Sequence, residues 1–272
     1  MPRPPSISPK DCPVLWVHYT IVTVQGPGAS AYPPERRDTV THTSPSLRTI
    51  CDMVDISAVQ APQGRAEIQD MVAATQKHGF GCVFCLPAWV TYTKALLQDI
   101  DGVLLGAPVG YPSGGHHTEI KVAEARLLAA EDCDELDMVL NVGRLRSGDY
   151  DDVLRDIRSV VDAVDVPVKV IIESPYLTDE QKRIACRLCI EGGAHWVKTS
   201  TGWAPTGATV EDVALLSECA GGRIGVKAAG GIRDLETLVA MYQAGARRFG
   251  LGTSSAVTMV ESYLQLHPDQ AG

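Results

Sequence analysis

The chain is poor in aromatic residues, at 6% with three phenylalanines, and it has no apolar run long enough to cross a membrane. Apolar stretches such as residues 102–109 and 166–172 fall far short of the roughly 20 residues that a spanning helix needs. The start carries prolines where a secretion signal would carry an apolar core. A surplus of positive charge is also missing: Lys+Arg 24 against Asp+Glu 33 leaves 24 − 33 = −9, which argues against a nucleic-acid surface. An anionic ligand must therefore be met by a local cluster of donors. The expectation is a cytoplasmic protein that serves small molecules and engages neither nucleic acid nor membrane.

Eight cysteines are present, and Cys82/Cys85 and Cys186/Cys189 are both spaced as C-x2-C. Neither pair suits a metal. Cys82 and Cys85 fall in an apolar segment that reads as a strand, where residues three apart point to opposite faces, and Cys186 and Cys189 lie on the core side of a helix. Buried free thiols in a reducing compartment are expected, with no metal site. The adjacent His116 and His117 have no Glu or His partners at metal spacing and read as a solvated helix start.

At 45% hydrophobic content, 272 residues can bury one barrel-sized core. Residues 1–46, rich in Pro, Ser, Thr and Gly, read as a partly disordered extension with at most one short strand, and residues 47–272 as the folded domain. From Ile50 onward, short β-branched runs alternate with amphipathic segments. The strand candidates are 53–56, 82–86, 103–109, 136–140, 168–173, 195–198, 224–228 and 248–252. Helical patterns include 119–130, 150–164, 178–191, 209–220, 234–244 and about 255–266. Such alternation requires parallel strands, and eight units predict an α/β fold, a TIM (β/α)8 barrel. A doubly wound open sheet is the competing architecture. Asp55, Asp137, Lys169, Glu173, Lys198 and Lys227 weigh against it, because charges within strands are costly between two helical layers but can point into a barrel.

Polar groups at the C-terminal ends of barrel strands are where catalysis is expected. Lys198 ends the sixth strand candidate, and Lys227 and Asp55 are placed at the ends of the seventh and first, with Asp137 in the fourth. A lone lysine at a strand end is ordinarily ion-paired or snorkelling. Here a second ammonium nearby and desolvation would both favour a neutral amine, able to attack a carbonyl. Lys227 suits the second cation, and Asp137 suits proton transfer through water. An internal ion-pair network without chemistry is the bland alternative. Lys169 and Glu173, four apart on one strand, would share a face; Lys169 reads as a structural ion-pair partner and Glu173 as a group that could orient water. Gly202, Gly230-Gly231 and Gly252-Thr253-Ser254-Ser255 follow strands six, seven and eight, where barrels commonly hold phosphate with backbone N–H groups, here joined by Ser254 and Arg233.

These residues fall in motifs that resemble the deoxyribose-phosphate aldolase family over roughly residues 50–264: Val-Gly-Tyr-Pro-Ser-Gly at 109–114, Glu-Leu-Asp-Met-Val at 135–139, Val-Lys-Val-Ile-Ile-Glu at 168–173, Val-Lys-Thr-Ser-Thr-Gly at 197–202, Val-Lys-Ala-Ala-Gly-Gly-Ile-Arg at 226–233 and Gly-Thr-Ser-Ser at 252–255. The resemblance implies a class I aldolase, a lyase without a cofactor, that cleaves 2-deoxyribose 5-phosphate to glyceraldehyde 3-phosphate and acetaldehyde in deoxyribonucleotide catabolism. It makes Lys198 the Schiff-base lysine, Lys227 the lysine that lowers its pKa, and Asp137 the proton relay. Asp55, Ser57, Gly202, Gly230, Gly231, Arg233, Gly252, Ser254 and Ser255 become candidate substrate and phosphate contacts, and a homodimer is expected. The chain departs from the family pattern at Asp55-Ile56-Ser57, at Phe84-Cys85-Leu86-Pro87 and at Trp203, which leaves the acceptor aldehyde open. A related lysine aldolase with another acceptor and a non-catalytic sugar-phosphate-binding barrel are the alternatives.

Overall fold

In the computed structural model, residues 45–268 are described. The expected extension of residues 1–46 lies outside them except for its last two residues. Eight strands follow one another around a closed barrel: β1 (Val54–Ala58), β2 (Cys82–Cys85), β3 (Leu104–Val109), β4 (Glu135–Val139), β5 (Val168–Ile171), β6 (Trp196–Lys198), β7 (Gly225–Ala229) and β8 (Arg248–Gly252). All neighbours are parallel, and pairing of β8 with β1, from Val54 opposite Phe249 to Ser57 opposite Gly252, closes the cylinder. That pairing excludes the doubly wound sheet, which would leave both edges open.

Ten helices connect and cover the strands among the described residues: α1 (Leu47–Met53), α2 (Arg65–His78), α3 (Val90–Leu97), α4 (Thr118–Ala130), α5 (Val142–Ser147), α6 (Tyr150–Val161), α7 (Asp179–Glu191), α8 (Val210–Ala220), α9 (Leu235–Gln243) and α10 (Thr253–Leu266). Local chemistry sets several of their ends. Ser46, Thr178, Thr209 and Asp234 accept backbone N–H groups at the starts of α1, α7, α8 and α9. Gly79 and Gly221 close α2 and α8 in the left-handed region. No helix among the described residues is long and apolar enough to cross a membrane.

Strand parity divides the residues into two populations. Ile56, Val83, Leu105, Leu136, Val170, Val197, Val226 and Phe249 are buried in the hydrophobic core between strands and helices. The other parity carries Asp55, Glu135, Asp137, Lys169, Lys198, Lys227 and Arg248, all buried and joined by ion pairs inside the barrel. The structure corrects three placements expected from the sequence. Asp55 is the second residue of β1 and Lys227 the third of β7, so neither ends its strand. β5 stops at Ile171, and Glu173 adopts a left-handed backbone with φ 53°, so the shared-face argument with Lys169 fails.

A second buried ion pair ties the helical layer together. Lys121 on α4, fully buried, donates to Asp156 Oδ2 on α6 at 2.6 Å and to the Val139 carbonyl at the end of β4 at 2.9 Å. Removing one partner leaves the other charge unpaired in an apolar setting. Asp156→Ala should therefore lower the unfolding free energy by about 3–5 kcal/mol, measured by urea denaturation, whereas the double change Lys121→Met with Asp156→Leu should cost much less.

Candidate active site

A cavity of about 190 Å³ opens at the C-terminal end of the barrel and is lined by Asp55, Ser57, Phe84, Asp137, Lys198, Lys227, Gly202, Gly230, Gly231, Arg233, Gly252 and Ser255, among others. Parallel strands bring the lining together from seven strands and their following loops. Lys198 and Lys227 are direct register partners on β6 and β7, as expected for neighbouring ammonium groups. Lys198 Nζ lies 2.7 Å from Asp137 Oδ2, and Lys227 Nζ lies 2.6 Å from the same oxygen and 2.5 Å from Asp55 Oδ2.

Beneath them, Lys169 Nζ sits 2.5 Å from Glu135 Oε1 and 3.2 Å from Asp137 Oδ1, as the expected structural partner. Arg248 Nη2 reaches Asp55 Oδ1 at 2.5 Å and Glu135 Oε1 at 2.6 Å. Burial alone would raise the Asp137 carboxyl, but Lys169, Lys198 and Lys227 hold it well below the usual carboxylate range. Asp55 is likewise raised by burial and lowered further by Lys227, Arg248 and Lys169, and ends below its ordinary value. Burial works against the Lys169 ammonium, yet Asp137, Glu135 and Asp55 together stabilise the charged form and raise its pKa.

Lys198 responds in the opposite sense. Burial pushes its ammonium down, Asp137 pulls it back up, and Lys227 pushes it down again, leaving it at about 8 instead of 10.5. It has one ion-pair partner within the cluster, where Lys227 has two and Lys169 three. A share of neutral amine on the order of a tenth is therefore present at pH 7, at a position that lines the cavity.

The glycine loops form the other wall. Gly202, Gly230 and Gly231 all have positive φ, at 82°, 88° and 75°. A Cβ on Gly230 would meet Ser200 Oγ at 2.3 Å, so the close approach of the two loops requires glycine there. α10 begins directly after Gly252, two residues earlier than the periodicity predicts, and its first turn reaches the cavity through Gly252 and Ser255. Backbone N–H groups, the helix N-terminus and Arg233 supply positive potential for an anion in an acidic chain. Ser254 is exposed and outside the lining. Ser57 lines it, but its hydroxyl donates to the Leu251 carbonyl at 3.0 Å.

The positions where the chain departs from the family pattern are redistributed. Leu86 and Trp203 lie outside the cavity lining, whereas Phe84 is within it. Trp203 Nε1 donates to the Val59 carbonyl at 3.2 Å, and its ring packs edge-on to Tyr111 at 5.9 Å, so the indole fastens loops across the rim. Glu173 does not stand free to orient water. It accepts from Thr201 N at 3.1 Å and Thr201 Oγ1 at 2.6 Å, and burial, against those bonds, raises its carboxyl above the usual value.

Sequence reasoning assigned no role to Glu135, Arg248, Gln60 or Gln63, and marked Phe84 only as a departure that leaves the acceptor aldehyde open. Parity carried a signal for the first two, since Glu135 shares a face with Asp137, and Arg248 with Gly250 and Gly252. Gln60 and Gln63 come from the loop after β1 and offered no periodicity to read. Cys82 faces inward with its Sγ 3.2 Å from Glu135 Oε1, and Cys85 faces the core. Asp55, Cys82 and Glu135 converge closely enough to share an ion. Lys169, Lys227 and Arg248 already neutralise those carboxylates, and a cation there would meet three positive charges. His116 and His117 are exposed at the start of α4.

Comparison with known proteins agrees with this geometry. Residues 53–256 match the model of the DeoC/LacD family aldolases. A deoxyribose-phosphate aldolase of Klebsiella pneumoniae is 48% identical over 221 residues, 80% of this chain and 88% of that protein. One from Rhizobium meliloti is 43% identical over 78% of this chain and 86% of its own length. Among solved structures, the tetrameric deoxyribose phosphate aldolase of Aeropyrum pernix superposes with a TM-score of 0.74 at 29% identity, covering 81% of this chain and 93% of that one. The chain belongs to the DeoC/LacD family of aldolases.

Proposed function

We propose that this protein is a class I deoxyribose-phosphate aldolase, a lyase that reversibly cleaves 2-deoxy-D-ribose 5-phosphate to D-glyceraldehyde 3-phosphate and acetaldehyde. The observation that carries the reading is Lys198: a buried lysine at the cavity, held near a pKa of about 8 and 2.7 Å from an ionised carboxylate. Its neutral amine attacks the aldehyde carbon C1, and loss of water gives an iminium. The iminium withdraws the electron pair of the C2–C3 bond as that bond breaks, which leaves an enamine on Lys198 and an aldehyde at C3. The C3 hydroxyl proton goes to a base, and a proton returns to C2. Asp137, bonded to both lysines, supports that relay through water. Hydrolysis of the second iminium releases acetaldehyde and the free amine.

Lys227 acts as the fixed positive neighbour that disfavours a second ammonium at Lys198. The glycine loops after β6, β7 and β8, with Arg233 and Ser255, receive the phosphate end. The reading includes an extension of residues 1–46 ahead of the catalytic barrel, operation in the cytoplasm, and self-association, for which sedimentation velocity distinguishes a dimer from a tetramer.

Incubation with acetaldehyde and borohydride, followed by peptide mass mapping, should place the adduct on Lys198. No adduct there would eliminate both the aldolase reading and that of a related lysine aldolase, and leave a sugar-phosphate-binding barrel. An adduct without turnover of deoxyribose 5-phosphate would favour the related aldolase. Lys198→Ala should reduce kcat by at least about 10³-fold, and Asp137→Asn by about 10²- to 10⁴-fold, the range that acid–base catalysis supplies. Because the reactive form is the deprotonated amine, adduct formation should rise about tenfold per pH unit below pH 8 and level off above it. A rate that falls as pH rises through 8 would contradict the assignment.

A further inference from the structure

Phe84 occupies a position that the aldol chemistry leaves without a role. It points inward from β2, is 4% exposed, and lines the cavity. Three ammonium groups surround its ring, with Nζ to centroid distances of 4.3 Å for Lys227, 4.8 Å for Lys169 and 6.0 Å for Lys198. The placement depends on its register partner on β3, Gly106: a Cβ there would lie 2.3 Å from the ring atom Cζ. With glycine at 106 the end of the ring lies over β3, beside the ion cluster at the edge of the cavity. Lys169 is fully buried and does not reach the cavity. An aromatic ring displaces water from this side of the cluster, and its π face attracts cations while doing so.

We propose that Phe84 is a positioning residue for imine formation: its ring keeps water from the β2 side of the ion cluster, so that Lys198 meets substrate as a free amine. This rests on the reading of Lys198 as the nucleophile. The charged groups that face Lys198 are Asp55 from β1, Asp137 from β4, Lys227 from β7 and Glu173 beyond β5, with Lys169, Glu135 and Arg248 in the layer beneath. Those side chains fix the signs of the local field. Phe84 controls how dry the site is, and dryness is the largest influence on the Lys198 amine.

The test is the pH dependence of borohydride trapping of acetaldehyde on Lys198 in the full chain, with folding checked by near-ultraviolet circular dichroism. The wild type should show a midpoint near 8. Phe84→Ala admits water and should move the midpoint up by about one pH unit, with trapping at pH 7 about tenfold slower. Phe84→Leu, which keeps an apolar wall, should restore it to within a few tenths of a unit. A folded Phe84→Ala protein with the wild-type midpoint would overturn the proposal, as would a Leu variant shifted as far as the Ala variant. Should Phe84→Ala not fold, Gly106→Ala, whose methyl would displace the ring, carries the same expectation, and an unchanged midpoint overturns the proposal equally. A wild type with no adduct on Lys198 would instead overturn the nucleophile assignment and this proposal with it.

Discussion

The barrel mouth depends on a buried ion cluster that contains one more positive group than it can pair. Asp55, Glu135 and Asp137 provide three carboxylates, and Lys169, Lys198, Lys227 and Arg248 provide four cations, a balance of 4 − 3 = +1 with every group charged. An uncompensated charge in a dry interior is costly, and the loss of one proton relieves it. Arg248 cannot lose its proton. Lys169 is held by three carboxylates and Lys227 by two, which leaves Lys198, with one. Lys198 also lines the cavity, beside Lys227.

Closed parallel architecture makes the cluster affordable in structural terms. One parity of every strand packs against helices, and the other supplies an interior in which seven charged side chains are joined by ion pairs. The loops that follow β6, β7 and β8 then meet an anion with backbone groups and a helix N-terminus, so that a chain of net charge −9 can receive a phosphate without a basic patch. Trp203 and Glu173 are rim and support elements of this wall: both hold the segment after Lys198 through hydrogen bonds, to Val59 and Thr201 respectively.

Much of this was legible in the sequence because periodicity is local. Eight β-branched runs became eight strands, and charges inside them, out of place in an open sheet, indicated a barrel interior. Lys198, Lys227 and Asp137 converge because parallel strands carry residues of one parity to one end. What stayed hidden depended on register and depth. Asp55 and Lys227 sit within their strands rather than at the ends, since a one- or two-residue change in strand boundary is invisible to pattern reading. Glu173 left the strand through a left-handed turn that no apolar pattern encodes. The contribution of Phe84 required Gly106 on a neighbouring strand, a pairing set by three-dimensional register.

The central claim is that burial, opposed by Asp137 and helped by the neighbouring charge of Lys227, lowers the pKa of the Lys198 ammonium to about 8. Titration of the Lys198 side chain by heteronuclear NMR, with lysine labelled at Cε and Nζ and the resonance assigned by Lys198→Arg, measures this without relying on turnover. A midpoint near 8, well below the 10.5 of an ordinary lysine, is the predicted result. A midpoint at or above 10.5 would mean that Asp137 outweighs burial and Lys227 at this site.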